Sequence, residues 1–247
     1  MRNTFIALDI NHCDLSTKQI DIWQYPLHTE FTEARQILNN DERKRADRYY
    51  FERHRRRFTI ARAMLRLILA HYINEHPSQL VFSENKYGKP QLKNAPSLQF
   101  NISHSADLAL LAIGKEFPLG IDLEFFAARP YEGIGQQMFS PNENNALSHL
   151  MPELKPLGFF HVWAQKEALI KACGLGLSYP TAQFDVPPLP STNQQVHDSL
   201  HHKEWHMVSF MPEVACCAAL CHHLQIQNIR YLALHELTHI VQNFGTI

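Results

Sequence analysis

The chain has 247 residues, 45% of them hydrophobic and 19% charged, enough to bury a sizeable core as one large domain or two small ones. A formal net charge of −1 argues against wholesale nucleic-acid binding, and no apolar run approaches the roughly 18 residues needed to span a bilayer. The five cysteines (Cys13, Cys173, Cys216, Cys217, Cys221) are odd in number and not framework-spaced, and the N-terminus has no signal-peptide core, so a reducing cytoplasm is expected.

Residues 4–9 and 20–25 read as strands. A helical pattern begins at Asn40, with Asp41 and Glu42 suited to its first turn, and a second covers 55–73, where Ala61, Leu65, Ile68, Leu69 and Tyr72 form an apolar stripe. Ten of the 23 basic residues lie within 41–66, opposed only by Asp41, Glu42, Asp47 and Glu52. That stretch carries +6 and the remainder −7, so a local anion site is expected. Tyr87-Gly88-Lys89-Pro90 then reads as a turn with a lysine at its tip.

Residues 98–102 and 108–113 read as strands joined by Ser103-His104-Ser105-Ala106-Asp107. This turn offers hydroxyls, an imidazole and backbone N–H groups, all good phosphate partners. Residues 119–125 form another strand, and because i and i+2 share a face, Asp122 and Glu124 project together around an inward Leu123. Two like charges that close call for a cation between them. A helix through 163–173 sets Trp163, Glu167 and Lys171 on one face and ends at Gly174-Leu175-Gly176. A surface Glu–Lys pair would explain the helix spacing alone, but neither the glycine exit nor the preceding His104 turn. Residues 181–202 read as a loop-rich insertion, and 203–210 and 213–222 as late strands in which Cys216 and Cys217 act as small hydrophobes.

In this order, the basic helix near Arg43, Tyr87-Gly88-Lys89-Pro90, Asn101-Ile102-Ser103-His104-Ser105, Gly120-Ile121-Asp122-Leu123-Glu124, Phe139-Ser140-Pro141-Asn142-Glu143 and residues 163–177 resemble the 4'-phosphopantetheinyl transferases of the large single-chain type. The resemblance implies an α+β fold of two pseudo-symmetric halves, residues 1–118 and 119–247. Each is a small antiparallel sheet with packed helices, and the active site lies between them. It implies transfer of 4'-phosphopantetheine from coenzyme A to a serine of an apo acyl or peptidyl carrier protein, leaving 3',5'-ADP.

Asp122, Glu124 and Glu167 match the metal-binding carboxylates, for Mg²⁺ or alternatively Mn²⁺. Glu167 and Lys171 take the catalytic positions, with Lys171 also at the pyrophosphate. Ser103 and His104 match phosphate contacts, and Tyr87, Gly88, Lys89 and Pro90 the turn along the adenine. Thr59 and one of Arg43, Arg45 or Arg57 fall near the 3'-phosphate, since Ala46 stands where some members carry a lysine. A cytoplasmic monomer is expected, with no nucleic-acid or membrane partner.

Two other readings compete. His235-Glu236-Leu237-Thr238-His239 is a literal H-E-x-x-H, the zinc-peptidase pattern, although chance alone gives one in roughly every twenty chains as rich in histidine and glutamate. The eight residues after His239 leave little room for the usual third ligand. A nucleic-acid binder built on the 43–66 helices would leave the three carboxylates unexplained.

Overall fold

The computed structural model describes residues 4–7, 14–127, 131–189, 194–234, 240 and 244. Strands β1 (Ile6–Ala7) and β2 (Gln19–Pro26) precede helices α1 (Ala34–Ile37), α2 (Asn40–Asp47) and α3 (Glu52–Ile73). A short hairpin of β3 (Phe82–Glu84) and β4 (Pro90–Leu92) leads into β5 (Leu98–Ser105), β6 (Leu108–Lys115) and β7 (Leu119–Phe125). Helices α4 (Tyr131–Met138), α5 (Pro141–Ser148) and α6 (Lys155–Cys173) follow, then β8 (Gln194–Asp198), β9 (Lys203–Phe210), β10 (Cys216–His223) and β11 (Asn228–Ala233).

Local chemistry sets the helix ends. Asn39 Oδ1 accepts the Glu42 N–H and Glu42 Oε2 accepts the Asn39 N–H, each at 2.9 Å, so α2 opens on a capping box. Ser140 and Glu143 repeat the device at α5, with Pro141 in the first turn. Helices α3 and α6 stop at left-handed residues, Asn74 (φ 52°) and Gly174 (φ 71°).

The first sheet runs β1-β11-β2-β6-β5 and the second β7-β10-β9-β8. Side-chain alternation sorts each strand between two layers. In β2 and β6, Trp23, Tyr25, Leu111 and Ile113 pack against α3, whereas Ile20, Ile22, Leu110 and Ala112 face the second sheet. In that sheet, Leu119, Ile121, Leu123, Ala218 and Leu220 meet them from the other side, while Cys217, Ala219 and Cys221 pack under α6. The layers are therefore helix, sheet, sheet, helix. Asp122 and Glu124, out of phase with Ile121 and Leu123, fall on the α6 side of β7.

The expected α+β class, with two helix-backed sheets, is what the chain forms. The second sheet and the β2-β6-β5 meander are antiparallel. To the first sheet the structure adds parallel pairings the sequence reading lacked, β11 on β2 and β1 on β11. The β11–β2 pair is tied by Asp21, wholly buried in β2, which accepts Arg230 Nε (2.7 Å) and Nη2 (2.6 Å) from β11.

Two segments differ from expectation. Ser103, His104 and Ser105 lie within β5 rather than in a turn, which shrinks to Ala106-Asp107. The 181–202 stretch contains β8 and buries Phe184 and Val186, so it is not wholly loop. Cys216, Cys217 and Cys221 are buried free thiols, as small hydrophobes in a strand should be. Among the described residues no helix is long and apolar enough to cross a membrane. Residues 235–239, the H-E-x-x-H run, lie outside the described residues.

Candidate active site

One edge of β7 pairs with β10. The other faces β5, and side chains rather than a strand satisfy its backbone. Asn101 Oδ1 accepts the Ile121 N–H (2.8 Å), Ser103 Oγ the Leu123 N–H (3.2 Å) and Ser105 Oγ the Phe125 N–H (3.1 Å). This polar seam joins the two sheets and fixes Ser103 beside Asp122.

Helix α6 approaches β7 closely enough that a Cβ on Gly120 would collide with the backbone of Ala168 and Ala172. Glycine is required there. The approach brings the helix face carrying Trp163, Glu167 and Lys171 onto the strand face carrying Asp122 and Glu124. All five border one cleft of about 370 Å³, together with Ser103 and His104.

Asp122 is buried. Its Oδ1 accepts Lys171 Nζ at 2.5 Å and Ser103 Oγ at 2.9 Å, and Lys171 Nζ also lies 3.2 Å from Ser103 Oγ. Its Oδ2 is buried with no hydrogen-bond partner, the kind of orphaned oxygen that a cation satisfies. Trp163 Nε1 donates to Glu124 Oε1 at 3.1 Å. Glu167 is half-buried, and its pKa is raised by burial and then by the charge of Asp122, against the opposing pull of Lys171. The three carboxylates thus share a cleft but are not drawn to within 4.8 Å of one another, a spacing reached among the described residues by Cys173, Asp198 and His201. Two of them are engaged by other side chains, Asp122 by Lys171 and Glu124 by Trp163.

His104 opens to solvent at the β5 edge, yet the protein around its ring desolvates it, and the charges of Lys171 and Arg57 add to lower its pKa. Arg57 in turn donates to Asp107 Oδ1 at 2.8 Å. The other expected arginines are engaged differently. Arg43 donates to the carbonyls of Arg35 (3.1 Å) and Gln36 (2.8 Å), and Arg45 lies over the Phe58 ring at 5.4 Å. Thr59 is half-buried on α3. Two of the ten basic residues in the +6 stretch, Arg62 and Arg66, are turned inward onto the one carboxylate of Glu42 at 2.5 and 2.7 Å, so they are withdrawn from the expected anion surface.

The Tyr87-to-Pro90 turn is docked on the end of α6. Gly88 takes φ +86°, Asn85 Nδ2 donates to the Gly174 carbonyl (2.8 Å), and Lys89 Nζ reaches the carbonyls of Leu119 (3.0 Å) and Ala172 (3.2 Å). Burial lowers the Lys89 pKa to about 8. Its amine is therefore a structural tie between β7 and α6, while Tyr87 stays 39% exposed with Lys86 Nζ 4.8 Å from the centre of its ring.

Sequence reasoning missed the seam residues Asn101 and Ser105, the tie through Asn85, and the role of Gly120. It also missed the buried pair of Lys166 and Glu143 (2.8 Å), in which Lys166 further donates to the carbonyls of Thr181 (2.5 Å) and Phe184 (2.7 Å) beside Glu167. Each of these depends on a contact tens of residues away. The one local signal was the Ser140–Glu143 capping pattern.

Comparison with known proteins places the chain in a family. A model described as "4'-phosphopantetheinyl transferase, N-terminal" matches residues 21–116, and one for the 4'-phosphopantetheinyl transferase superfamily matches 118–219. The 4'-phosphopantetheinyl transferase HetI of Nostoc sp. is 34% identical over 215 residues, 83% of this chain and 88% of its own length. The 4'-phosphopantetheinyl transferase Sfp of Bacillus subtilis is 30% identical over 150 residues, covering 61% and 66%. The human L-aminoadipate-semialdehyde dehydrogenase-phosphopantetheinyl transferase is 29% identical over 201 residues, covering 73% and 65%. With a carboxylate cleft assembled between the two matched regions and a relative aligned along most of both chains, this protein belongs to the 4'-phosphopantetheinyl transferase family.

Proposed function

We infer that this chain transfers 4'-phosphopantetheine from coenzyme A to a serine hydroxyl of an apo acyl or peptidyl carrier protein. The observation that carries this reading is the meeting of Asp122, Glu124, Glu167 and Lys171 with Ser103 and His104 in one cleft. The serine oxygen attacks the pantetheine-side phosphorus of the coenzyme A pyrophosphate. The P–O bond to the other phosphate breaks, and 3',5'-ADP leaves with the electron pair.

Asp122, Glu124 and Glu167 are suited to hold Mg²⁺, or Mn²⁺, because the buried Asp122 Oδ2 has no partner and Glu167, its pKa raised by burial and then by the Asp122 charge, lines the same cleft. When bound, the ion would offset charge on the pyrophosphate. Glu167 accepts the serine proton, its raised pKa bringing its basicity closer to neutral pH. Lys171 presents its ammonium to the charge that develops on 3',5'-ADP. Ser103 and His104 line the same wall and bind phosphate oxygens. Of the three arginines left open by the sequence, Arg57 is favoured for the 3'-phosphate, because its charge acts on His104 whereas Arg43 is committed to backbone carbonyls. The exposed face of Tyr87, with Gly88 to Pro90, lies along the adenine.

In this reading residues 1–118 contribute the phosphate-binding wall and 119–247 the carboxylates, and the chain works as a cytoplasmic monomer. The described cysteines are free thiols, which supports a reducing compartment. The test is incubation with coenzyme A, Mg²⁺ and an apo carrier protein, followed by intact mass. One phosphopantetheine per carrier is expected, and none when the acceptor serine is replaced by alanine. An unmodified carrier across several carrier classes would refute it.

A further inference from the structure

At the C-terminal end of α6, where Cys173 meets the end of β8, a second group of ligand-type side chains lies outside the cleft just described. Asp198 ends β8 and is 0% exposed. Its Oδ1 accepts the Tyr179 hydroxyl (2.6 Å) and the backbone N–H groups of Leu200 (3.1 Å) and His201 (3.2 Å). Its Oδ2 meets His201 Nδ1 at 2.7 Å and Cys173 Sγ at 3.3 Å. The sulfur, nitrogen and oxygen of Cys173, His201 and Asp198 all lie within 4.8 Å of one another. None of the three borders the Glu167 cleft, so transfer chemistry does not account for them.

The donor set has a definite chemical preference. One thiol, one imidazole and one carboxylate suit a borderline-soft dication such as Zn²⁺ and are a poor match for Mg²⁺. Tetrahedral Zn²⁺ with bonds of roughly 2.0–2.3 Å places its ligands about 3.5 Å apart. Oδ2 already lies 2.7 Å from His201 Nδ1 and 3.3 Å from Cys173 Sγ, and the sulfur and nitrogen lie within 4.8 Å of each other, so an ion fits with side-chain shifts of about 1 Å. Asp198 and His201 come from one tight turn, three residues apart, while Cys173 comes from the end of α6. Tyr179 and the two backbone N–H groups hold Oδ1 and leave Oδ2 as the oxygen aimed at the other two ligands, the outer support that metal carboxylates require.

Charge is consistent with this. Burial and the Asp198 carboxylate keep the Cys173 thiol protonated. A dication would allow both to be anionic, with the thiol proton released to solvent. Lys89 and Lys203 act on Cys173 from the other side and oppose a cation. Lys89 is the larger of the two influences, and burial has brought its own pKa down to about 8.

We propose that Cys173, Asp198 and His201 form a zinc site, with the fourth position open to solvent beside the exposed His201. Cys173 stands two residues beyond Lys171, so an occupied site clips the end of the catalytic helix to the β8–β9 turn.

The test uses the untagged full chain, stripped with a chelator and titrated with Co²⁺, then Zn²⁺. The expected result is one equivalent per chain, a near-ultraviolet thiolate-to-cobalt band that Zn²⁺ abolishes, and a Zn²⁺-dependent rise in melting temperature. Cys173→Ser should lose the band and the rise, and His201→Ala should weaken binding at least tenfold. Glu167→Gln should keep both signals, which separates this site from the cleft and from the transferase reading. Absence of a thiolate band in the unmodified chain, or a band that survives Cys173→Ser, overturns the proposal. Should Cys173→Ser fail to fold, the solvent-facing His201→Ala decides, and unchanged affinity there overturns it equally.

Discussion

Lys171 Nζ lies 2.5 Å from Asp122 Oδ1, an ion pair that joins α6 to β7 across the floor of the cleft. The pair exists because Gly120, two residues before Asp122, lets the helix backbone touch the strand. Ser103 then completes a three-way contact from the other sheet. The geometry of the site is thus a consequence of one missing side chain and one polar seam.

Gly120→Ala should be strongly damaging. The added methyl meets helix backbone, which cannot rotate away, so overpacking of about 1–3 kcal/mol or more is expected. Melting temperature and transfer rate should fall together. Gly133→Ala in α4 is the control, since a Cβ there meets nothing within 4 Å. That change should be neutral or stabilising by up to about 1 kcal/mol. Paired thermal melts and initial rates check both variants.

Asp122→Ala removes the carboxylate with the orphaned Oδ2 and frees Lys171. Loss of an outer support to a metal ligand already costs about tenfold to a hundredfold in metal affinity. The Mg²⁺ concentration for half-maximal transfer should therefore rise by at least about tenfold. A flat metal dependence in this variant would count against a cation shared by the three carboxylates.

Much of the site was legible in the sequence because its parts obey local periodicities. Alternation in β7 placed Asp122 with Glu124, and the helical repeat placed Trp163, Glu167 and Lys171 on one face. What could not be read was everything set by distant partners. Ser103 and Ser105 looked like the start of a turn because they are polar, yet with Asn101 they are strand residues whose side chains replace a neighbouring strand. Arg62 and Arg66 counted toward an anion site, yet both are held inward by Glu42, 20 and 24 residues earlier. The same holds for β8 and β11, short strands that exist only because sheet edges were available to pair them.

The pH dependence follows from Glu167. Its pKa is raised in the folded protein, chiefly by burial and then by Asp122, and it must be ionised to accept the serine proton. Transfer should therefore fall on the acid side at a pH above that of an ordinary glutamate. A bound cation favours the carboxylate, so raising Mg²⁺ should move this limb to lower pH. For stability the sign is opposite to that of a salt-bridged acid. A raised carboxyl pKa favours folding when protonated, and that contribution is lost as pH rises from the ordinary glutamate value through the raised one. Without Mg²⁺ at neutral pH, Glu167→Gln should melt no lower than the parent.

The 3'-phosphate offers a clean comparison, since dephospho-coenzyme A lacks only that group. A charge-assisted contact is worth about 1.5–3 kcal/mol, roughly tenfold to a hundredfold in affinity. Arg57→Ala should weaken coenzyme A by that factor and leave dephospho-coenzyme A nearly unchanged. Arg43→Ala, whose guanidinium holds backbone carbonyls, should not discriminate between the ligands. Calorimetric titration of both variants with both ligands decides the assignment.

The most direct measurement is the single-turnover rate at which Glu167→Gln modifies an apo carrier protein, read by intact mass at saturating coenzyme A and Mg²⁺. The substitution removes the proton acceptor while keeping size and helix propensity. Loss of a positioned general base costs about a hundredfold to ten-thousandfold. The account predicts a loss at least that large, with melting temperature preserved. A correctly folded Glu167→Gln protein that transfers phosphopantetheine at near the parent rate would contradict it.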